Sequence, residues 1–85
     1  MTRQLQPEGE VFGRRLREVR QRRRVTQDTL ASTAGLTKAY ISDMERGLKV
    51  PSLTTVLRLA VALDCKVTEL VSVFDKTDLP SILPK

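Results

Sequence analysis

The chain has no histidine and no tryptophan, and it has a single cysteine, Cys65. Without histidine the commonest general acid–base side chain is missing. Neither a Ser-His-Asp nor a Cys-His arrangement can be assembled, so no enzyme activity is expected. One cysteine closes no internal disulfide, and the Cys/His clusters of zinc sites are absent. No metal or cofactor is expected either. Cys65 lies in "LDCKV" among apolar neighbours and is read as a small buried side chain. Aromatics make up 4% of a chain that is 40% hydrophobic, so the core must be aliphatic, as suits a helical bundle. No stretch approaches the roughly 18 apolar residues of a membrane span. The opening "MTRQLQPEGE" has no apolar segment of the kind a secretion signal needs. The expectation is an intracellular, cytoplasmic protein without a membrane partner. At 85 residues it has room for one small core.

The charge is unevenly placed. The net charge is +5. Residues 1–24 hold eight arginines (Arg3, Arg14, Arg15, Arg17, Arg20, Arg22, Arg23 and Arg24) against three glutamates, which accounts for all of it. The remaining residues balance. A one-sided basic segment points to an anionic partner, with nucleic acid first among the candidates. A solvated helix face with basic residues toward its C-terminal end gives the same pattern.

The sequence reads as consecutive short helices. Phe12, Leu16 and Val19 form one helical stripe in a first helix from about Glu8–Glu10 to Arg23. Thr26, Thr37 and Ser52 can each cap a helix, with an apolar residue before the cap and another four residues into the helix. Gly35 and Gly47 can take the left-handed conformation that ends the second and third helices. In the fourth helix, about Leu53 to Leu63, the stripe is Val56, Leu57, Ala60 and Leu63. A fifth is expected from about Val67 to Phe74. The tail "DKTDLPSILPK" has no helical period, but Leu79, Ile82 and Leu83 suggest that it lies against something. No segment alternates at period two for long enough to make a strand.

The second helix, the tight turn at Gly35 and the third helix make a helix-turn-helix. In such a unit one helix crosses the phosphate backbone and the next enters the major groove N-terminus first. At about 100° per residue, Ile41, Met44 and Leu48 face a core with Glu45 beside them. Ala39, Ser42, Asp43 and Arg46 point away, and Lys38 stands at the leading edge. An ordinary amphipathic surface helix would show the same division.

The stretch "TQDTLASTAGLTKAYISDMERGLKVPSLTTVLRLAVAL" resembles the helix-turn-helix of the Cro/phage-repressor, or XRE-like, regulators, including small members similar to restriction–modification controller proteins. The resemblance runs from about Val11 to Leu70. It is carried by Thr26-Gln27, Leu30-Ala31, Ala34-Gly35-Leu36-Thr37, Tyr40-Ile41-Ser42, Glu45-Arg46-Gly47 and Pro51-Ser52-Leu53. It implies an all-α, five-helix, lambda-repressor-like domain over residues 1–74, with 75–85 as a C-terminal tail. It also implies site roles. Lys38, Ala39, Asp43 and Ser42 match base-reading positions: Lys38 can donate to guanine, Ala39 can touch a thymine methyl, and Asp43 can accept from cytosine or exclude other bases. Gln27, Thr37, Tyr40, Arg46 and Lys49 match positions that meet the DNA backbone, and the resemblance also implies that Gln27 braces the recognition helix. Arg20 and Glu45 match an internal salt bridge. The chain departs from the pattern at Val50, before Pro51, and at Lys66, where a serine cap is common. The latter leaves the start of the fifth helix open.

One reading helix spans only a few base pairs. Two-fold dimers place two of them about 34 Å apart on one face of the duplex. Val67, Val71 and Phe74, extended by Leu79 and Ile82, are the expected dimer seam, unless the tail folds back over them within one chain. The function expected is a sequence-specific transcriptional regulator that binds an inverted repeat in double-stranded DNA as a homodimer. The alternative is an antitoxin or adaptor that uses the same fold to bind a partner protein.

Overall fold

A computed structural model of the protein describes residues 6–83. Arg3, counted in the basic segment, and positions 84–85 of the tail lie outside them. The chain runs through α1 (Pro7–Arg22), α2 (Gln27–Ala34), α3 (Lys38–Glu45), α4 (Leu53–Leu63), α5 (Val67–Val71), a 3₁₀ turn (Ser72–Lys76) and α6 (Leu79–Ile82). Among the described residues there is no strand.

Each helix begins for a local chemical reason. Pro7 opens α1 at a position where a missing N–H costs nothing. The hydroxyls of Thr26, Thr37 and Ser52 accept from the backbone N–H groups of Thr29, Tyr40 and Thr55, each at 3.1 Å. Each cap satisfies one of the donors that a helix leaves unpaired at its start. Lys66 cannot cap in this way. Instead the Lys66 N–H donates to the Glu69 carboxylate at 3.0 Å, so α5 is closed from inside its own first turn.

The helix ends share one solution. A residue just beyond each of α1 to α4 turns left-handed: Arg24, Gly35, Gly47 and Asp64, with φ of 58°, 71°, 79° and 51°. The following N–H then reaches back to a carbonyl in the last turn: Val25 to Arg20, Leu36 to Ala31, Leu48 to Asp43 and Cys65 to Ala60. Glycine takes this conformation without strain at Gly35, where the chain must turn fastest. Arg24 and Asp64 take it with a side chain, and neither gives a stop signal in the sequence.

The core forms from Phe12, Leu16 and Val19 of α1, Leu30, Ala31 and Ala34 of α2, Ile41 and Met44 of α3, and Leu70 of α5. Helix α4 adds Val56, Leu59, Ala60 and Leu63. The expected α4 stripe is therefore corrected at one position. Leu57 is 45% exposed and Leu59 is fully buried in its place. The inward face runs i, i+3, i+4, i+7 from Val56, and Leu57 lies about 100° away from it. The fifth helix is also shorter than expected, because the backbone tightens into the 3₁₀ turn after Val71. The tail adds one helical turn, α6, with Leu79 and Leu83 exposed and Ile82 half-buried. Cys65 is half-buried against the core rather than enclosed by it. Burial above all, then the nearby Glu69 against the opposing Arg23, pushes its thiol above the usual range. The thiolate is thus scarce at neutral pH and the residue is a poor nucleophile.

Candidate nucleic-acid interface

Helix α3 is held between α1 and α2, which pack on its inner side. Ile41 and Met44 are fully buried there. The opposite side is open: Thr37, Lys38, Ala39 and Arg46 are exposed, while Ser42 and Asp43 are half-buried. Lys38 lies 3.5 Å from Asp28 of α2, and Arg46 lies 3.9 Å from Asp43. The Lys38–Asp28 pair is exposed on both sides and costs little to exchange for another anion. The Thr37 oxygen caps the helix, which leaves its O–H proton available to a phosphate. Lys49, just beyond α3, is exposed. Tyr40 is half-buried with its ring packed on the core.

One buried carboxylate fixes this helix. Glu45, at the end of α3, has a side chain only 3% exposed. Its Oε2 accepts from Arg20 Nε at 2.6 Å, and its Oε1 accepts from Arg20 Nη2 at 3.0 Å. The same Oε1 accepts from Gln27 Nε2 at 3.1 Å. Arg20 also donates from Nη1 to the Val25 carbonyl at 2.9 Å. Three helices and the α1–α2 corner thus meet on one forked ion pair, the geometry in which arginine binds carboxylate most strongly. Sequence reading reaches Arg20 and Glu45 and expects Gln27 to brace the reading helix, but it does not name Glu45 as the group that Gln27 bonds. Nothing in the spacing of Gln27 and Glu45 signals it, because it depends on how α2 crosses α3.

The structure also sorts the arginines of α1. Arg20 is committed to Glu45, and Arg15 donates to the Glu69 carbonyl at 2.7 Å. Arg23 lies 3.5 Å from the Glu69 carboxylate. Arg14 and Arg17 face α3 and line two adjoining surface grooves with Arg46 and Glu45. The first groove also takes in Gln27, Lys38 and Ser42.

The residues expected at a dimer seam are divided. Val67, Val71 and Phe74 are half-buried and pack against the chain's own core. Leu79 is 40% exposed. The most exposed large apolar side chains lie elsewhere, on α4. Leu53, Leu57 and Val61 are 73%, 45% and 81% exposed at i, i+4 and i+8, one outward stripe. The sequence pattern does not reveal this stripe, because Leu57 fits the inward apolar face of α4 as well as the outward one.

Among the described residues, no three His, Cys, Asp or Glu are grouped to hold a metal, and no helix is long and apolar enough to cross a membrane.

Comparison with known proteins agrees with this geometry. A family described as a helix-turn-helix domain matches residues 11–72. An immunity repressor protein of Bacillus phage phi105 is 39% identical over 61 residues, which cover 72% of this chain and 42% of that protein. The chain therefore spans less than half the length of the phage repressor. An uncharacterized HTH-type transcriptional regulator of Sinorhizobium fredii is 31% identical over 67 residues, covering 79% of this chain and 87% of that protein. Among solved structures, the restriction-modification controller protein C.AhdI from Aeromonas hydrophila superposes with a TM-score of 0.72 at 43% identity. That match covers 74% of this chain and 96% of the other.

Proposed function

The chain belongs to the helix-turn-helix family of DNA-binding transcriptional regulators, and from that premise we propose that it binds an inverted-repeat operator as a homodimer. Residues 1–74 act as the reading domain and 75–85 as its tail. The observation that carries the reading is the fixed, two-sided α3. Its inner face is locked by the buried Glu45 fork, and its outer face offers Lys38, Ala39, Ser42 and Asp43. A reading helix must be rigid in this way, because base-edge hydrogen bonds are lost on small displacements.

Lys38 and Asp43 then select bases, with Ala39 and Ser42 shaping the contact. Gln27, Thr37, Tyr40, Arg46 and Lys49 serve the backbone, and Gln27 does so while bonded to Glu45. Alanine at Lys38 or Asp43 is expected to change which sequences are enriched from a random duplex pool. Each lost base contact should reduce discrimination by about 1–3 kcal/mol. Alanine at Gln27 or Lys49 is expected to weaken all duplexes alike. An unchanged preference on replacing both Lys38 and Asp43 would place base reading elsewhere.

For the dimer, the α4 stripe is the better seam. Val67, Val71 and Phe74 already spend much of their surface on the core, while Leu53, Leu57 and Val61 do not. A contiguous exposed apolar strip on so small a domain favours association. Sedimentation of the pure protein is expected to give a dimer that Val61→Asp dissociates and Ile82→Asp does not. The reverse result would return the seam to the tail. A wild-type monomer would favour the second reading, in which a different protein covers the α4 stripe.

A further inference from the structure

We propose that Arg14 and Arg17 of α1, together with Arg46 of α3, form a phosphate rail that extends the DNA contact beyond the helix-turn-helix. This rests on the DNA-binding reading and lengthens its footprint along the backbone. Arg15, Arg20 and Arg23 each have a protein partner. Arg14 and Arg17 are exposed and have no hydrogen-bond or ion-pair partner among the described residues. They are three apart, so they share one face and lie roughly 4.5 Å apart along the helix axis.

That face is the one turned toward α3. Arg17 lines the groove that holds Gln27, Lys38 and Ser42, and it also lines the adjoining groove with Arg14, Arg46 and Glu10. The two grooves share Arg17, Glu45 and Arg46, so they adjoin along the α1–α3 surface. A DNA strand with a phosphate at Gln27 would lead its next phosphates past Arg17 and Arg46 toward Arg14. Glu45 adds no repulsion proportional to its charge there, because Arg20 already neutralises it. Among the described residues Arg46 is paired with Asp43 at a long 3.9 Å, and its own side chain is 65% exposed. Glu10 is the one acidic wall without such a partner among the described residues, and three arginines outweigh it. Guanidinium groups suit phosphate because they present planar paired donors.

The rail carries no base information, so its signature is in salt dependence rather than in sequence preference. The test measures binding to a mixed-sequence duplex over a range of salt for the wild type, Arg14→Gln/Arg17→Gln, Arg14→Lys/Arg17→Lys and the control Arg22→Gln. Arg22 is exposed on the same helix but lines neither groove. Each phosphate contact removed should lower the slope of log K against log salt by about 0.9. The double glutamine variant should therefore lose about twice that for each bound subunit, while the lysine pair and Arg22→Gln keep the wild-type slope. Both arginines are exposed, so the thermal melts should be unchanged, and a large drop in the melt would itself count against a purely surface role. A double glutamine slope no different from that of Arg22→Gln would overturn the rail while leaving the helix-turn-helix reading intact. Failure of the wild-type protein to bind any duplex would overturn both.

Discussion

Glu45→Ala is expected to lower the free energy of unfolding by about 3–5 kcal/mol, because it breaks one side of a buried ion pair. The substitution removes the acceptor for two Arg20 donors and for Gln27 together. The Arg20 side chain is 13% exposed and would be left largely dry and without a counter-ion, keeping the Val25 carbonyl as its one remaining acceptor among the described residues. For a domain of this size each kcal/mol is worth about 4–8 °C in melting temperature. Total stabilities of such domains are about 5–15 kcal/mol, so the loss takes a large share of the total. The same change should remove sequence-specific DNA binding, because α3 loses the group that holds its end against α1 and α2. Denaturant unfolding of Glu45→Ala, Arg20→Ala and the double variant separates the pair from its surroundings. The double variant should cost clearly less than the sum of the singles. Additive losses, with no coupling between the two sites, would show that the fork does not hold the three helices together.

Gly13→Ala is the second large effect, and it follows from helix crossing rather than from charge. Gly13 is buried in α1 at the point where α3 passes over it. A methyl group added there would lie 2.0 Å from the Met44 carbonyl oxygen and 3.0 Å from that of Glu45. Both obstacles are backbone, so no side-chain rotation relieves the clash. Helix α3 would have to move outward by more than an ångström-scale adjustment of the side chains. Overpacking of this kind costs about 1–3 kcal/mol and sometimes more. Alanine gains back about 1 kcal/mol in helix propensity. A 2.0 Å approach to backbone puts the cost at or above the top of that range, so a net loss of about 2 kcal/mol or more is expected in denaturant unfolding. Specific DNA affinity should fall further than stability alone explains, because the displaced element is the reading helix itself. A Gly13→Ala protein as stable as the parent would mean that α1 and α3 do not approach as closely as described.

These two residues also mark what could be read in advance. Thr26, Thr37 and Ser52 announce their helices because hydroxyl caps act on the nearest turn, and Gly35 and Gly47 announce two ends because only glycine turns left-handed freely. Gly13 gives no such signal. A glycine inside a helix is a weak local cost until the partner backbone that needs the space is known. The left-handed ends at Arg24 and Asp64 are equally silent, because tertiary packing imposes a conformation that neither side chain favours. The same limit explains Leu57. Its position fits an apolar stripe on α4, but only the packing partners decide which of two adjacent apolar faces turns inward.

The sequence by itself determined the helical class, the positions of the caps and the turn, and the identity of the outward residues on the reading helix. Those follow from interactions within about one helical turn, which neighbouring residues specify. Only the tertiary structure decided that Arg15 and Arg23 are paired with Glu69, that the partner of Gln27 is Glu45, that α4 carries an exposed apolar stripe, and that Arg14 and Arg17 border the groove beside α3. Those facts depend on how helices distant in sequence cross one another. Crossing geometry is set by the sum of many packing contacts, and no single spacing along the chain encodes it.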